Sequence, residues 1–202
     1  MKTKLLTILT LLTCLIFGNT AFADVEEDVI VVTNVDYTAS LTKKSATESS
    51  TVSPATGTHT GLSSVFTLQT NGGDDYFDYI ITSYIDIEGE RVSAFGSDGR
   101  VLFAHEVNPP SSAAVNNAKS GVGVSKNVFA YPTTVSATNG FEANFQVGNA
   151  TYGDCYVVLS NGNEESDITY TIGTSPCPGT YEVGRDESGT YKSTMVITIA
   201  SK

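Results

Sequence analysis

Tyr76-Phe77-Asp78-Tyr79-Ile80-Ile81-Thr82-Ser83-Tyr84-Ile85-Asp86-Ile87 is a long run rich in β-branched and aromatic residues in the 202-residue chain. Such residues fit a pleated, half-buried surface. Glu88-Gly89-Glu90 turns this run back into Arg91 to Phe95, and Gly96-Ser97-Asp98-Gly99 turns again into Val101 to His105. Upstream, Val65 to Gln69 reads as a strand, and Asn71-Gly72-Gly73-Asp74 is a turn because Asn and Gly tolerate positive φ. Strand, turn, strand at this spacing predicts an antiparallel meander.

The same rhythm continues downstream. Pro109-Pro110 closes the block, and Ser112 to Ser120 is the one predicted helix, with Ser111 or Ser112 as cap and Gly121 as stop. Val128 to Tyr131, Thr133 to Thr138, Phe141 to Val147, Cys155 to Ser160 and Ile168 to Ile172 read as further strands. At the two ends lie long alternating segments. Val29, Val31, Val35, Tyr37, Ala39 and Leu41 form one apolar set, and Tyr191, Met195, Ile197 and Ile199 form the other. Period-two alternation places each set on one face of a strand. The expectation is an all-β fold: an antiparallel two-sheet β-sandwich, or a barrel-like variant, with one short helical insertion.

Residues 1–23 read as a secretory signal peptide. Lys2 and Lys4 give a positive start, Leu5 to Phe17 an apolar stretch, and Ala21-Phe22-Ala23 a cleavage site. The stretch is shorter than the span of about 20 residues that a membrane helix needs. Cys14 raises lipidation as an alternative, although the apolar core runs on past it. The expected location is therefore the periplasm, the cell surface or the extracellular space, with no membrane span after cleavage. Residues 24–61 are expected to hold an N-terminal strand and a Ser/Thr-rich connector from Lys43 to Gly61, and residues 62–202 the sandwich domain.

The chain has 22 acidic and 11 basic residues, a net charge of −11. The leader removes two lysines and no acid, so the mature chain is more acidic still. Such a surface repels phosphate backbones and anionic lipid, so no nucleic-acid role is expected. Cys155 and Cys177 remain after cleavage, and an oxidising compartment favours one disulfide between them.

Catalytic chemistry is thinly represented. His59 and His105 are the two histidines. A triad using His105 would have to assemble in space, and no nucleophile-elbow motif accompanies it. Asp74, Asp75 and Asp78, and Glu164, Glu165 and Asp167, offer carboxylates for a hydrolase or for calcium, but both groups flank turns, where acids serve solvation. Gly121-Val122-Gly123-Val124 fits no phosphate-loop pattern, and Asn149-Ala150-Thr151 fits a glycosylation acceptor. No enzymatic activity, cofactor or metal is expected. Tyr76, Tyr79, Tyr84, Tyr131, Tyr152, Tyr156, Tyr170, Tyr181 and Tyr191 lie among the strands, either as sheet packing or as contacts for sugars and protein partners.

The leader, the alternating segment Val29 to Leu41, the all-β body, and Gly189 ahead of Tyr191, Met195, Ile197 and Ile199 together resemble the subunits of bacterial surface fibres. These are the chaperone–usher pilins and related sandwich adhesins. The resemblance implies an immunoglobulin/pilin-like sandwich, a structural or adhesive role, and self-association or contact with other surface subunits through terminal strands. It also implies that Val29 to Leu41 is donated to a neighbour. Read from the residues alone, the same segment is the first strand of a self-complete sandwich. The other functional reading is a secreted carbohydrate- or protein-binding module.

Overall fold

The computed structural model describes residues 33–53, 55–121, 125–149, 153–160, 165–177 and 182–202. The expected signal peptide, Val29 and Val31 lie outside the described residues. Asp36–Lys202 forms one compact unit, and residues 33–35 of the preceding unit carry no regular structure.

Among its described residues the unit has eleven strands, one α-helix and one 3-10 turn. β1 is Ala39–Ala46, β2 Leu62–Thr70, β3 Phe77–Ile87, β4 Glu90–Ser93 and β5 Arg100–His105. Helix α1, Ser112–Ser120, follows. Then come β6 Val128–Ala137, β7 Glu142–Asn149, β8 Gly153–Ser160, β9 Ser166–Ile172, β10 Tyr191–Lys192 and β11 Thr194–Ser201. One sheet has the order β1-β2-β9-β6-β5-β10, and the other β11-β3-β8-β7 with β4 also on β3. Every ladder is antiparallel. The fold is an all-β sandwich of two packed sheets, as the turn spacing predicts.

The main core lies between the sheets. Leu68, Tyr79, Ile81, Phe95, Val101, Val157, Leu159 and Ile168 are almost fully buried there. Buried tyrosine hydroxyls find acceptors: Tyr79 Oη donates to Thr70 Oγ1 at 2.8 Å. Alternation along β5 and β6 gives those strands a second buried face. Val101, Phe129 and Tyr131 point into the main core, whereas Leu102, Ala104, Val128 and Ala130 join Ile85, Ile87 and Val115 in a smaller cluster. Helix α1 packs on this second face. Ser111 caps it by accepting from Ala114 N at 3.3 Å, and Gly121 ends it at φ 70°. Burial on both faces explains why β5 reads as a near-continuous apolar run.

Three features depart from the expected boundaries. The first strand starts at Ala39 and runs on through Lys43 and Lys44 to Ala46, so Val35 and Tyr37 precede it. Its polar second half shows no alternation, because the strand is held by pairing with β2 rather than by its own burial. Val128 to Tyr131 and Thr133 to Thr138 are one strand. Pro132, which has no N–H to give, stands where β6 leaves the β5 ladder and joins β9. The last run divides at Ser193. Tyr191 and Lys192 pair with β5 in one sheet, and Thr194 to Ser201 pair with β3 in the other.

The expected disulfide is absent. Cys155 is buried on β8 in the main core, whereas Cys177 packs against the second cluster. The two thiols therefore sit on opposite sides of the β5–β6 layer, with Cys177 N donating to Ala130 O at 3.0 Å on that layer. A bond between them would need the layer to move aside. Burial pushes the Cys177 thiol pKa up.

Candidate binding cleft

A cleft of about 740 Å³ opens at one end of the sandwich. Phe103 of β5, Phe129 and Tyr131 of β6 and Tyr191 of β10 form its aromatic floor. They meet because the register sets Phe103 opposite Phe129 and Tyr191 opposite His105 on neighbouring strands. The rings of Phe103 and Phe129 stack at 5.8 Å, and Phe129 and Tyr191 lie 4.4 Å apart. His59 meets Tyr131 edge-on at 4.5 Å. Such offset and edge contacts are the favoured aromatic geometries.

Two segments wall the floor. The first follows β1 and contributes Glu48, Ser49, Ser50, Thr51 and Val52. It is tied down from below: Tyr131 Oη donates to Gly57 O at 2.5 Å, and His59 Nε2 lies 2.9 Å from Gly173 O. Burial raises the Tyr131 pKa to about 12, so the hydroxyl stays a donor.

The second wall precedes and includes β10, and a polar knot fixes it. The buried Asp186 carboxylate accepts from Asn127 N and Glu182 N, both at 2.7 Å, and pairs with Arg185. Asn127 Oδ1 accepts from Glu187 N at 3.0 Å, and Tyr191 Oη donates to Glu187 O at 2.8 Å. Gly189 touches His105 so closely that a Cβ there would stand 2.3 Å from Nε2. His105 Nδ1 accepts from Val107 N and Asn108 N, which leaves Nε2 to donate toward Ser188 O at 3.3 Å. Both His105 nitrogens thus brace backbone.

The rim is polar. Glu48, Glu106, Glu187 and Lys192 stand around it with hydroxyls from Ser49, Ser50, Thr51, Ser188, Thr190 and Ser193. Glu48 pairs with Lys43, and Glu187 pairs with Lys126 and accepts from Asn108. These contacts hold both carboxyl pKa values below the usual range, with the lysine hydrogen bond the largest cause in each case. Phe103 and Tyr191 are half-buried and give the cleft its accessible ring surface, the almost fully buried Phe129 and Tyr131 back them, and hydrogen-bonding groups stand at the mouth, a lining of the kind small-molecule sites have.

The other sequence candidates scatter. Asp74 and Asp75 sit in a 3-10 turn, Gly73–Asp75, and Asp78 pairs with Lys202 at 3.4 Å. Asp167 pairs with Lys44 at 2.6 Å and accepts from Thr67, while Glu165 accepts from Gln69. Glu164, Ala150, Thr151 and Val122 to Val124 lie outside the described residues. Among the described residues, no three His, Cys, Asp or Glu side chains converge on a point that could hold a metal ion. No described helix is long and apolar enough to cross a membrane.

Of the terminal-strand residues, Tyr37 stacks on Tyr76 at 3.4 Å, and Met195, Ile197 and Ile199 pack against the main core. Tyr191 alone of that set lines the cleft. Sequence reasoning did not single out Phe103, Phe129 or the 48–52 wall. The signal for the phenylalanines was the apolar alternation of two predicted strands, but it cannot say which strands become neighbours.

No known protein family matches the chain, and no curated protein matches it significantly.

Proposed function

We propose that this is an exported adhesive module of the cell surface, a self-contained β-sandwich that binds carbohydrate in the aromatic cleft. The single observation that carries the reading is the cleft of about 740 Å³ with Phe103, Phe129, Tyr131 and Tyr191 beneath a rim of hydroxyls and carboxylates. Sugar rings present C–H faces to aromatic side chains, here the half-buried Phe103 and Tyr191, and hydroxyls to a polar rim, so both halves of the site find partners. The acidic chain and the Glu48, Glu106 and Glu187 rim favour neutral over anionic glycans.

The fibre-subunit reading draws support from the position of β1 and β11 as sheet edges. Ala39, Ser40 and Leu41 pair with Thr70, Gln69 and Leu68 of the same domain, so a donated segment would have to lie ahead of Ala39.

A glycan array probed with the purified mature chain tests the cleft. Binding to neutral glycans is expected, and Ser50→Arg, which places a long cation in the mouth, should abolish it while leaving the melting temperature unchanged. An array without hits, or hits indifferent to Ser50→Arg, would overturn the reading.

A further inference from the structure

The residues just ahead of β1 are bound to the turn between β2 and β3. Asn71 holds them through its side chain and its backbone. Its Oδ1 accepts from Thr38 N at 2.6 Å, its Nδ2 donates to Asp36 O at 3.0 Å, and its backbone N donates to Thr38 O at 3.2 Å. This clamp lays Tyr37 over Tyr76, the residue that follows the 3-10 turn. Gly72 makes room for the ring, since a Cβ there would stand 3.2 Å from Tyr37 Cδ1 and 2.9 Å from Phe77 Cε2.

The two rings lie face to face, with centroids 3.4 Å apart and planes 21° from parallel. Ring pairs left to themselves favour offset or edge-on contacts, so the Asn71 clamp sets this register rather than ring attraction. The Tyr76 hydroxyl pKa is raised, first by a hydrogen bond with the Tyr37 hydroxyl and then by desolvation. Both hydroxyls therefore share one end of the stack, and the carbons beside them lie over one another. The pair is also open to solvent: Tyr37 is 50% exposed and Tyr76 38%. Tyr79, Tyr131 and Tyr170 are buried, out of reach of an external oxidant.

We infer that Tyr37 and Tyr76 are a cross-linking site, joined as dityrosine when a haem peroxidase with hydrogen peroxide oxidises both phenols. The site goes beyond the proposed carbohydrate cleft and does not depend on it. Each phenol gives up one electron and its hydroxyl proton, leaving a phenoxyl radical that shares its unpaired spin with the carbons beside the oxygen. One such carbon of Tyr37 bonds to one of Tyr76 through the facing π lobes. The hydrogen on each joined carbon then leaves as a proton, and each ring oxygen takes one up, which restores both phenols. The chain loses two hydrogen atoms in all, and one hydrogen peroxide is reduced to two waters. Holding the reacting carbons together replaces a search between molecules, which is why this pair couples ahead of other tyrosines. Tyr37 precedes the first strand in a stretch without regular structure, so its ring has room to turn as the bond forms. The product ties the start of β1 covalently to the β2–β3 turn.

The test exposes the purified mature chain to a haem peroxidase and hydrogen peroxide. Dityrosine fluorescence should appear in the monomer, its mass should fall by two hydrogens, and a digest should yield one linked peptide pair holding Tyr37 and Tyr76. Tyr37→Phe and Tyr76→Phe should each abolish that link with an unchanged β-sheet circular dichroism spectrum. Asn71→Ala, which keeps both rings but removes the side-chain half of the clamp, should lower the yield severalfold. Unfolding the chain in urea before oxidation should scatter coupling over the other tyrosines. The linked monomer should melt at a higher temperature than the untreated chain, because the bond closes a loop in the unfolded state. No dityrosine in the monomer, links that join other tyrosines of the folded chain, or fluorescence that survives Tyr37→Phe would overturn the inference. Glycan binding by the untreated chain reads the cleft separately.

Discussion

The first and last described strands begin from similar alternating sequence and end as opposites. In β1, Ala39 and Leu41 reach the core, but Lys43 and Lys44 follow, and the strand is held to β2 with a register shift and a surface ion pair to Asp167. In β11, Met195, Ile197 and Ile199 reach the core along an unbroken eight-residue ladder with β3. One edge is stabilised by its neighbour and closed to others. The other adds the anchoring of its own side chains to its ladder, and pairs with no described strand besides β3. Alternation in sequence thus reports that a strand has a buried face, but not whether its backbone edge is protected.

The largest expected effect falls on β11. Ile197→Ala should destabilise the domain by about 2 kcal/mol, toward the lower end of core truncations because the side chain is only half-buried. Leu41→Ala should lose about 1 kcal/mol, since β1 keeps its ladder without it. Denaturant melts of the two variants check the ranking, and equal losses would break the contrast between the edges.

Gly189→Ala comes next. The added methyl meets His105 Nε2 at 2.3 Å, and overpacking of this kind typically destabilises by about 1–2 kcal/mol. It should also loosen the 187–193 wall, visible as faster amide exchange at Tyr191 with β1 unaffected.

A smaller effect tests the connector behind β1. Tyr131 has its pKa raised by burial to about 12 in the folded chain. A raised pKa means that the folded state holds the proton longer, so this contribution is complete below the unfolded value of about 10. It is lost as pH rises toward 12. Tyr131→Phe should flatten that part of the stability-versus-pH curve, and an unchanged alkaline slope would count against burial of the Tyr131 hydroxyl beneath the connector.

Smallest of all is Lys44→Ala. Asp167 has its pKa lowered, first by the Lys44 hydrogen bond and then by Thr67. Its contribution is present above the unfolded carboxylate value of about 3.9 and fades as pH falls through the lower folded value. The pair is exposed, so added salt should shrink the difference between Lys44→Ala and the unsubstituted chain, and melts with and without salt read this directly.

Much of the fold was legible because it is local. The run from Tyr76 to Ile87 became β3, the Glu88–Gly89 turn followed it, and the helix is bounded by the Ser111 hydroxyl as cap and by Gly121 in the left-handed backbone region. The cleft was only half legible. Tyr131 and Tyr191 stood among the tyrosines considered for binding, but their meeting with Phe103 and Phe129 depends on pairing β10 with β5 and β5 with β6. The expected Cys155–Cys177 bond failed for a related reason: spacing along the chain cannot reveal that a sheet layer lies between two thiols.

The sequence by itself determined that the chain is built of strands, where most of them turn, and which side chains face inward, because these follow from backbone sterics and a period of two. Tertiary structure alone decided which strands are neighbours, that the last run changes sheets at Ser193, and that Lys43 and Lys44 extend the first strand. Those outcomes depend on contacts between residues far apart in the chain. Local patterning places a residue on a face, whereas only packing of the whole chain chooses the face it meets.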